Sequence, residues 1–65
     1  MMLYSYYKLD GMPCRIIERI AQLDVAQIYY PGTGFVAGPR MEIEGEGVPI
    51  SKLEFDAMVL ASRDR

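Results

Sequence analysis

Between the runs LYSYYKL and MPCRIIER stands a single dipeptide, Asp10-Gly11, that restricts the fold of this chain more than any other pair of residues. A two-residue type I′ turn needs positive φ at both central positions, which Asp and Gly tolerate and most residues do not. The dipeptide predicts an N-terminal hairpin of fixed register. Leu9 faces Met12, Lys8 faces Pro13, Tyr7 faces Cys14, Tyr6 faces Arg15, Ser5 faces Ile16 and Tyr4 faces Ile17. Pro13 then falls at a pair that exchanges no ladder hydrogen bonds, where its missing N–H costs little. A helix starting at Pro13 competes with this reading, because Ile16, Ile17, Ile20 and Leu23 recur at helical spacing. The turn dipeptide and the β-branched run favour the strand.

Alternation along the two strands sorts their side chains. Leu3, Tyr7, Leu9, Met12, Cys14 and Ile16 share one face, which reads as core. Tyr4, Tyr6, Lys8, Arg15, Ile17 and Arg19 share the other, where aromatic rings interleave with cations. Single-strand nucleic-acid binders use such a mixture, so Tyr4, Tyr6, Lys8, Arg15 and Arg19 form a candidate nucleic-acid face. A Tyr6–Arg15 cation–π pair that stabilises the sheet accounts for the same residues. The formal net charge of −2 gives no bulk attraction to a polyanion.

Further along, Val25 to Tyr30 reads as a strand, followed by the PGTG turn, a short Phe35-Val36 extension and a strand over Met41 to Glu44. Pro31-Gly32 suits the centre of a type II turn, so the runs on either side of it are expected to pair. Gly32, Gly34 and Ala37 match the G-x-G-x-x-[GA] spacing of dinucleotide-binding loops. That loop must open a helix inside a βαβ unit, and Gly38-Pro39 interrupts any such helix at its start, so the glycines read as turn residues. No cofactor is expected. Tyr29, Tyr30 and Phe35 bracket the turn and are candidate partner-binding aromatics, although a small core also needs such rings.

The end of the chain carries two helix-start devices. Ser51 and Glu54 form an S-x-x-E capping box, and Ile50 with Phe55 forms a hydrophobic staple. They predict a helix from Lys52 to about Ser62, with Gly47 and Pro49 keeping any preceding strand from running into it. At 100° per residue, Leu53, Ala57, Leu60 and Ala61 lie on one side, and Phe55, Met58 and Val59 lie nearly opposite. One side packs on the sheet and the other is free to meet another chain. Phe55, Met58 and Val59 are taken as candidate partner-binding residues.

These elements give an α+β fold, with a small antiparallel sheet of three to five short strands and one C-terminal helix packed on it. The 65 residues are read as a single domain. At this size a chain buries only about 60% of the surface it exposes when unfolded, so extra stabilisation is needed. One cysteine, Cys14, excludes an internal disulfide, and the absence of histidine removes the usual zinc sites and histidine acid–base chemistry. Cys14 beside Arg15 reads as a packed thiol rather than a nucleophile. Glu42, Glu44 and Glu46 would share one side of a strand, but no calcium-loop pattern accompanies them, and they read as a solvated face.

No signal peptide or membrane span is evident. The longest uncharged stretch, Val25 to Pro39, is fifteen residues and is broken by Pro31, Gly32 and Gly34. The combined expectation is a cytoplasmic, non-enzymatic interaction domain, either a homo-oligomer or bound to a protein partner. The alternative is a single-strand nucleic-acid module.

Overall fold

The structure is a computed structural model and describes residues 2–63. Five antiparallel strands form one sheet: β1 (Met2–Leu9), β2 (Met12–Arg19), β3 (Val25–Tyr30), β4 (Gly34–Ala37) and β5 (Val48–Ile50). Helix α1 (Arg40–Glu46) lies between β4 and β5, and helix α2 (Lys52–Arg63) follows β5. The strand order β4-β3-β2-β1-β5 makes the first four strands a meander and puts the last strand beside the first. This is a small α+β domain with its C-terminal helix packed on an antiparallel sheet.

The first hairpin has the register that Asp10-Gly11 predicts, pair for pair from Leu9↔Met12 to Tyr4↔Ile17, and it extends to Met2↔Arg19. Asp10 and Gly11 have φ of 52° and 79°, the two positive angles of a type I′ turn. Residues 13–19 are thus strand, and the helical alternative fails because Ile20 and Leu23 lie in an exposed turn. The second turn also follows its sequence. Gly32 takes φ 81° after Pro31, and the Thr33 N–H donates to the Tyr30 carbonyl at 3.1 Å, closing a type II turn.

Both sides of the sheet are covered. Consecutive residues Pro13 and Cys14 point to opposite faces of β2, and both are fully buried. On one face Leu9, Cys14, Ile16 and Ile28 form the core together with Ile43 of α1. On the other, Phe55 of α2 packs against the rings of Tyr6 and Phe35.

Helix α1 corrects the expectation of a strand over Met41 to Glu44. A strand there would have to pair with an existing edge, whereas this segment must travel from β4 to the far side of β1. Four strand spacings amount to ~19 Å. A seven-residue helix covers ~10 Å of that and extended flanks supply the rest. The helix is fastened by Ile43, which is fully buried, and by an Arg40–Glu44 ion pair one turn apart at 2.8 Å. Its ends are tight: the Ile43 N–H donates to the Pro39 carbonyl at 3.1 Å, and the Gly47 N–H donates to the Ile43 carbonyl at 2.9 Å.

Two further expectations change. Gly47 and Pro49 do not keep a strand away from α2, since β5 runs to Ile50 and includes Pro49. Pro49 sits opposite Tyr7, at a position where an edge strand needs no donor. Leu3 is not core either. It is 60% exposed, because the core cluster on its side of the sheet ends at Ile16 and Ile43.

Candidate interaction surfaces

The tyrosine and arginine face is largely an internal contact of the fold. Phe55 anchors α2 over it, with ring centroids 4.6 Å from Tyr6 and 6.1 Å from Phe35. Tyr29 meets Phe35 edge-on at 5.0 Å, and Tyr4 stacks beside Tyr6 at 6.3 Å. The five rings make one row that runs from β1, through α2, to β4 and β3.

Arg15 enters this row differently from its expected pairing. Tyr6 is its cross-strand partner, but the guanidinium lies over the Phe35 ring, 3.6 Å from the centroid, and donates from Nε to Gln27 Oε1 at 2.7 Å. Arg19 is also engaged, donating from Nε and Nη2 to the Leu23 carbonyl at 3.2 and 2.8 Å. Of the candidate nucleic-acid residues, Tyr4 and Lys8 are exposed, and Tyr6, Arg15 and Arg19 are half-buried.

The candidate partner residues divide in the same way. Phe55 is 4% exposed and Tyr29 is buried, while Met58, Val59 and Phe35 are half-buried. The inward side of α2 is therefore the one that carries Phe55, and the exposed apolar side is the opposite one, with Leu53 82% exposed and Leu60 also open. Of the turn-tip aromatics, Tyr30 is the exposed member. The start of α2 follows its capping signal, with the Glu54 N–H donating to Ser51 Oγ at 3.1 Å.

Cys14 is fully buried, its thiol directed at the Met12 carbonyl at 3.5 Å. Burial pushes the thiol pKa up, away from the thiolate that a nucleophile needs. Glu42, Glu44 and Glu46 belong to a helix and not to a strand, so Glu44 turns away from the side that Glu42 and Glu46 share one turn apart. Among the described residues, no group of three or more His, Cys, Asp or Glu side chains is placed to hold a metal ion. Gly32 and Gly34 lead into strand β4 rather than a helix, so the loop presents no row of helix N-terminal amides. No helix of the structure is long and apolar enough to cross a membrane.

Two features were not foreseen. Arg40, at the start of α1, bridges Glu44, Asp24 and Glu18 (2.8 Å to Glu44 and 3.4 Å to Glu18) and ties the crossover helix to β2 and the following turn. Its hydrogen bonds to Glu44 and then Asp24 raise its pKa further above the ordinary value. The i,i+4 spacing of Arg40 and Glu44 was the available signal, hidden once the segment was read as a strand.

The second feature is the free edge of β1. Strand β5 pairs only with Tyr6, Tyr7 and Lys8, so among the described residues Met2 to Ser5 have a strand neighbour on one side alone. Met2, Leu3 and Tyr4 are all exposed there. The edge borders a hollow of about 180 Å³ lined by Leu3, Glu18, Arg19, Ile20 and Asp24, and a second of about 270 Å³ reached from Met2 and Ile20.

No protein-family model, curated protein or solved structure matches the chain.

Proposed function

We propose that this chain is a non-enzymatic interaction domain that acts through protein contacts and associates with itself. The observation that carries this reading is the amount of large apolar surface left outside a fold with both sheet faces already covered. Leu23, Met41 and Leu53 are each more than 80% exposed, and Met2, Leu3, Ile20 and Leu60 more than half exposed. Scattered apolar residues are normal on a surface, but contiguous ones mark contact sites. Here Met2, Leu3 and Ile20 share the hollows at one end of the sheet.

The chemistry of the side chains supports the same reading. The only thiol is buried, and histidine is absent. A cytoplasmic setting accords with a lone free cysteine. The nucleic-acid reading loses support, because stacking platforms must be open and Tyr6 is tilted against Phe55 while Arg15 is engaged by Phe35 and Gln27.

The test is the absolute mass of the full chain in solution, by size-exclusion chromatography with light scattering from micromolar to millimolar protein. A dimer or higher oligomer is the expected result. A strict monomer throughout would remove self-association.

A further inference from the structure

We infer that two copies of this chain join by pairing the open edge of β1 with itself across a two-fold axis, forming a continuous ten-stranded sheet. The inference rests on the self-association proposed above and names the surface that performs it.

The hydrogen-bond phase of the first hairpin selects the atoms. A two-residue turn makes Leu9↔Met12 a hydrogen-bonded pair, and the pattern alternates along an antiparallel ladder. Leu3, Ser5 and Tyr7 therefore direct their backbone groups to β2, and Met2, Tyr4, Tyr6 and Lys8 direct theirs outward. Pro13 opposite Lys8 agrees with this phase, since no ladder donor is required of it. Strand β5 occupies the outward groups of Tyr6 and Lys8 through Ile50 and Val48, with Pro49 at the intervening position that needs no donor. The N–H and C=O of Met2 and Tyr4 are left over.

Met2 and Tyr4 are two residues apart, a spacing that a two-fold satisfies by itself. With the two copies antiparallel, Met2 of each lies opposite Tyr4 of the other, both pairs are hydrogen-bonded, and the two Leu3 side chains meet at the axis. Pairing covers apolar surface on both sides of the sheet, Leu3 on one and Met2 with Tyr4 on the other.

The self-complementary spacing of Met2 and Tyr4 makes a second copy the occupant, and the charge of the seam permits it. The chain carries a formal −2, so identical molecules repel on average, and an interface between them needs a neutral seam. Met2 to Ser5 contains no charged residue. Natural sheets guard open edges with lysine, proline, a bulge or a covering element. The opposite flank of β1 is filled by β2, and the edge of β5 is three residues long and contains proline, but Met2 to Ser5 has none of these guards. A closed two-fold pairing uses up this stretch of edge on both copies, so the contact does not propagate.

The experiment is the concentration dependence of mass, by light scattering, for the full chain and three variants. Tyr4→Pro removes an outward N–H without touching the β1–β2 ladder, and Leu3→Arg places like charges face to face at the axis. Leu53→Lys alters the exposed side of α2 as a control. Circular dichroism and urea midpoints establish that each variant folds, and Leu3→Arg decides the matter if Tyr4→Pro does not. The expected result is a dimer whose dissociation constant rises at least ~10-fold in Tyr4→Pro and Leu3→Arg and is unchanged in Leu53→Lys. The Tyr4 amide should also gain exchange protection as protein concentration rises. A dimer indifferent to both β1 variants would overturn this inference while self-association stands. A protein monomeric at millimolar concentration would overturn both.

Discussion

The guanidinium of Arg15 lies 3.6 Å from the centre of the Phe35 ring, while the ring of Phe55 from α2 stacks near the same phenylalanine at 6.1 Å. A cation carried by β2 and a helix fixed to the other end of the chain thus meet on one side chain of the shortest meander strand. Phe35→Ala removes both contacts at once and should cost about 3 kcal/mol of stability. Arg15→Ala combined with Phe35→Leu in a double-mutant cycle should give a coupling of about 0.5–1 kcal/mol. Urea titration of Phe35→Ala and of the four proteins of the cycle measures both quantities.

Helix α1 makes opposite predictions for glycines a few residues apart. A Cβ on Gly38 would come within 2.9 Å of buried Ile28, and one on Gly47 would collide with the Ile43 carbonyl, whereas a Cβ on Gly45 meets nothing within 4 Å. Gly47→Ala and Gly38→Ala should therefore destabilise, the first more because backbone cannot yield as a side chain can. Gly45→Ala should stabilise by about 0.5–1 kcal/mol through helix propensity. Thermal melts that ranked the three in any other order would contradict the placement of the helix.

Ala21 has φ 61° in the turn that joins β2 to β3, a region that strains any residue with a Cβ. Ala21→Gly relieves that strain and loses part of the gain to the greater freedom of the unfolded chain. The net expectation is a gain of about 0.5 kcal/mol, read as a higher urea midpoint with an unchanged slope.

Cys14 should resist alkylation in the native protein and react at once in urea. Burial, the largest influence, holds the folded thiol's pKa above its ordinary value, while the unfolded thiol keeps that value. Below about pH 8.5 both states are protonated and this contribution to stability is complete. As the pH rises from there through the folded pKa, the unfolded state gives up its proton first and stability falls. Stability measured from pH 7 to 10 should decline more steeply in the native sequence than in Cys14→Ala, which lacks this titration.

The sequence made the hairpins legible because their turns are local chemistry. Asp10-Gly11 fixes the register of eight pairs, and Pro31-Gly32 specifies one turn type. The cap at Ser51 located α2 for the same reason. Periodicity revealed two apolar sides on that helix but not which one faces the sheet; that was decided by Tyr6 and Phe35, which are distant in sequence and offer Phe55 aromatic neighbours. Helix α1 was illegible because Ile43 is its one buried residue, and a single buried position creates no period. Alternation in EIEGE imitates a strand. Pro49 was misread as a barrier because its harmlessness depends on which way the β1 backbone faces at Tyr7, a fact that belongs to the pairing and not to the segment.

The position of β5 bears on the order in which the molecule assembles. Every other strand pair joins neighbours in the chain and zips from a turn of two to five residues. β5 must instead find β1 from about forty residues away, after the backbone has passed over the sheet. Closing so large a loop carries an entropic cost that the local hairpins do not face. The meander can thus form first, with Pro13, Tyr6 and Phe35 still wet on one side, and the C-terminal strand and helix act as a late clasp. A ribosome releases the meander before that clasp, so a nascent chain holds its hairpins before it has the means to dry them.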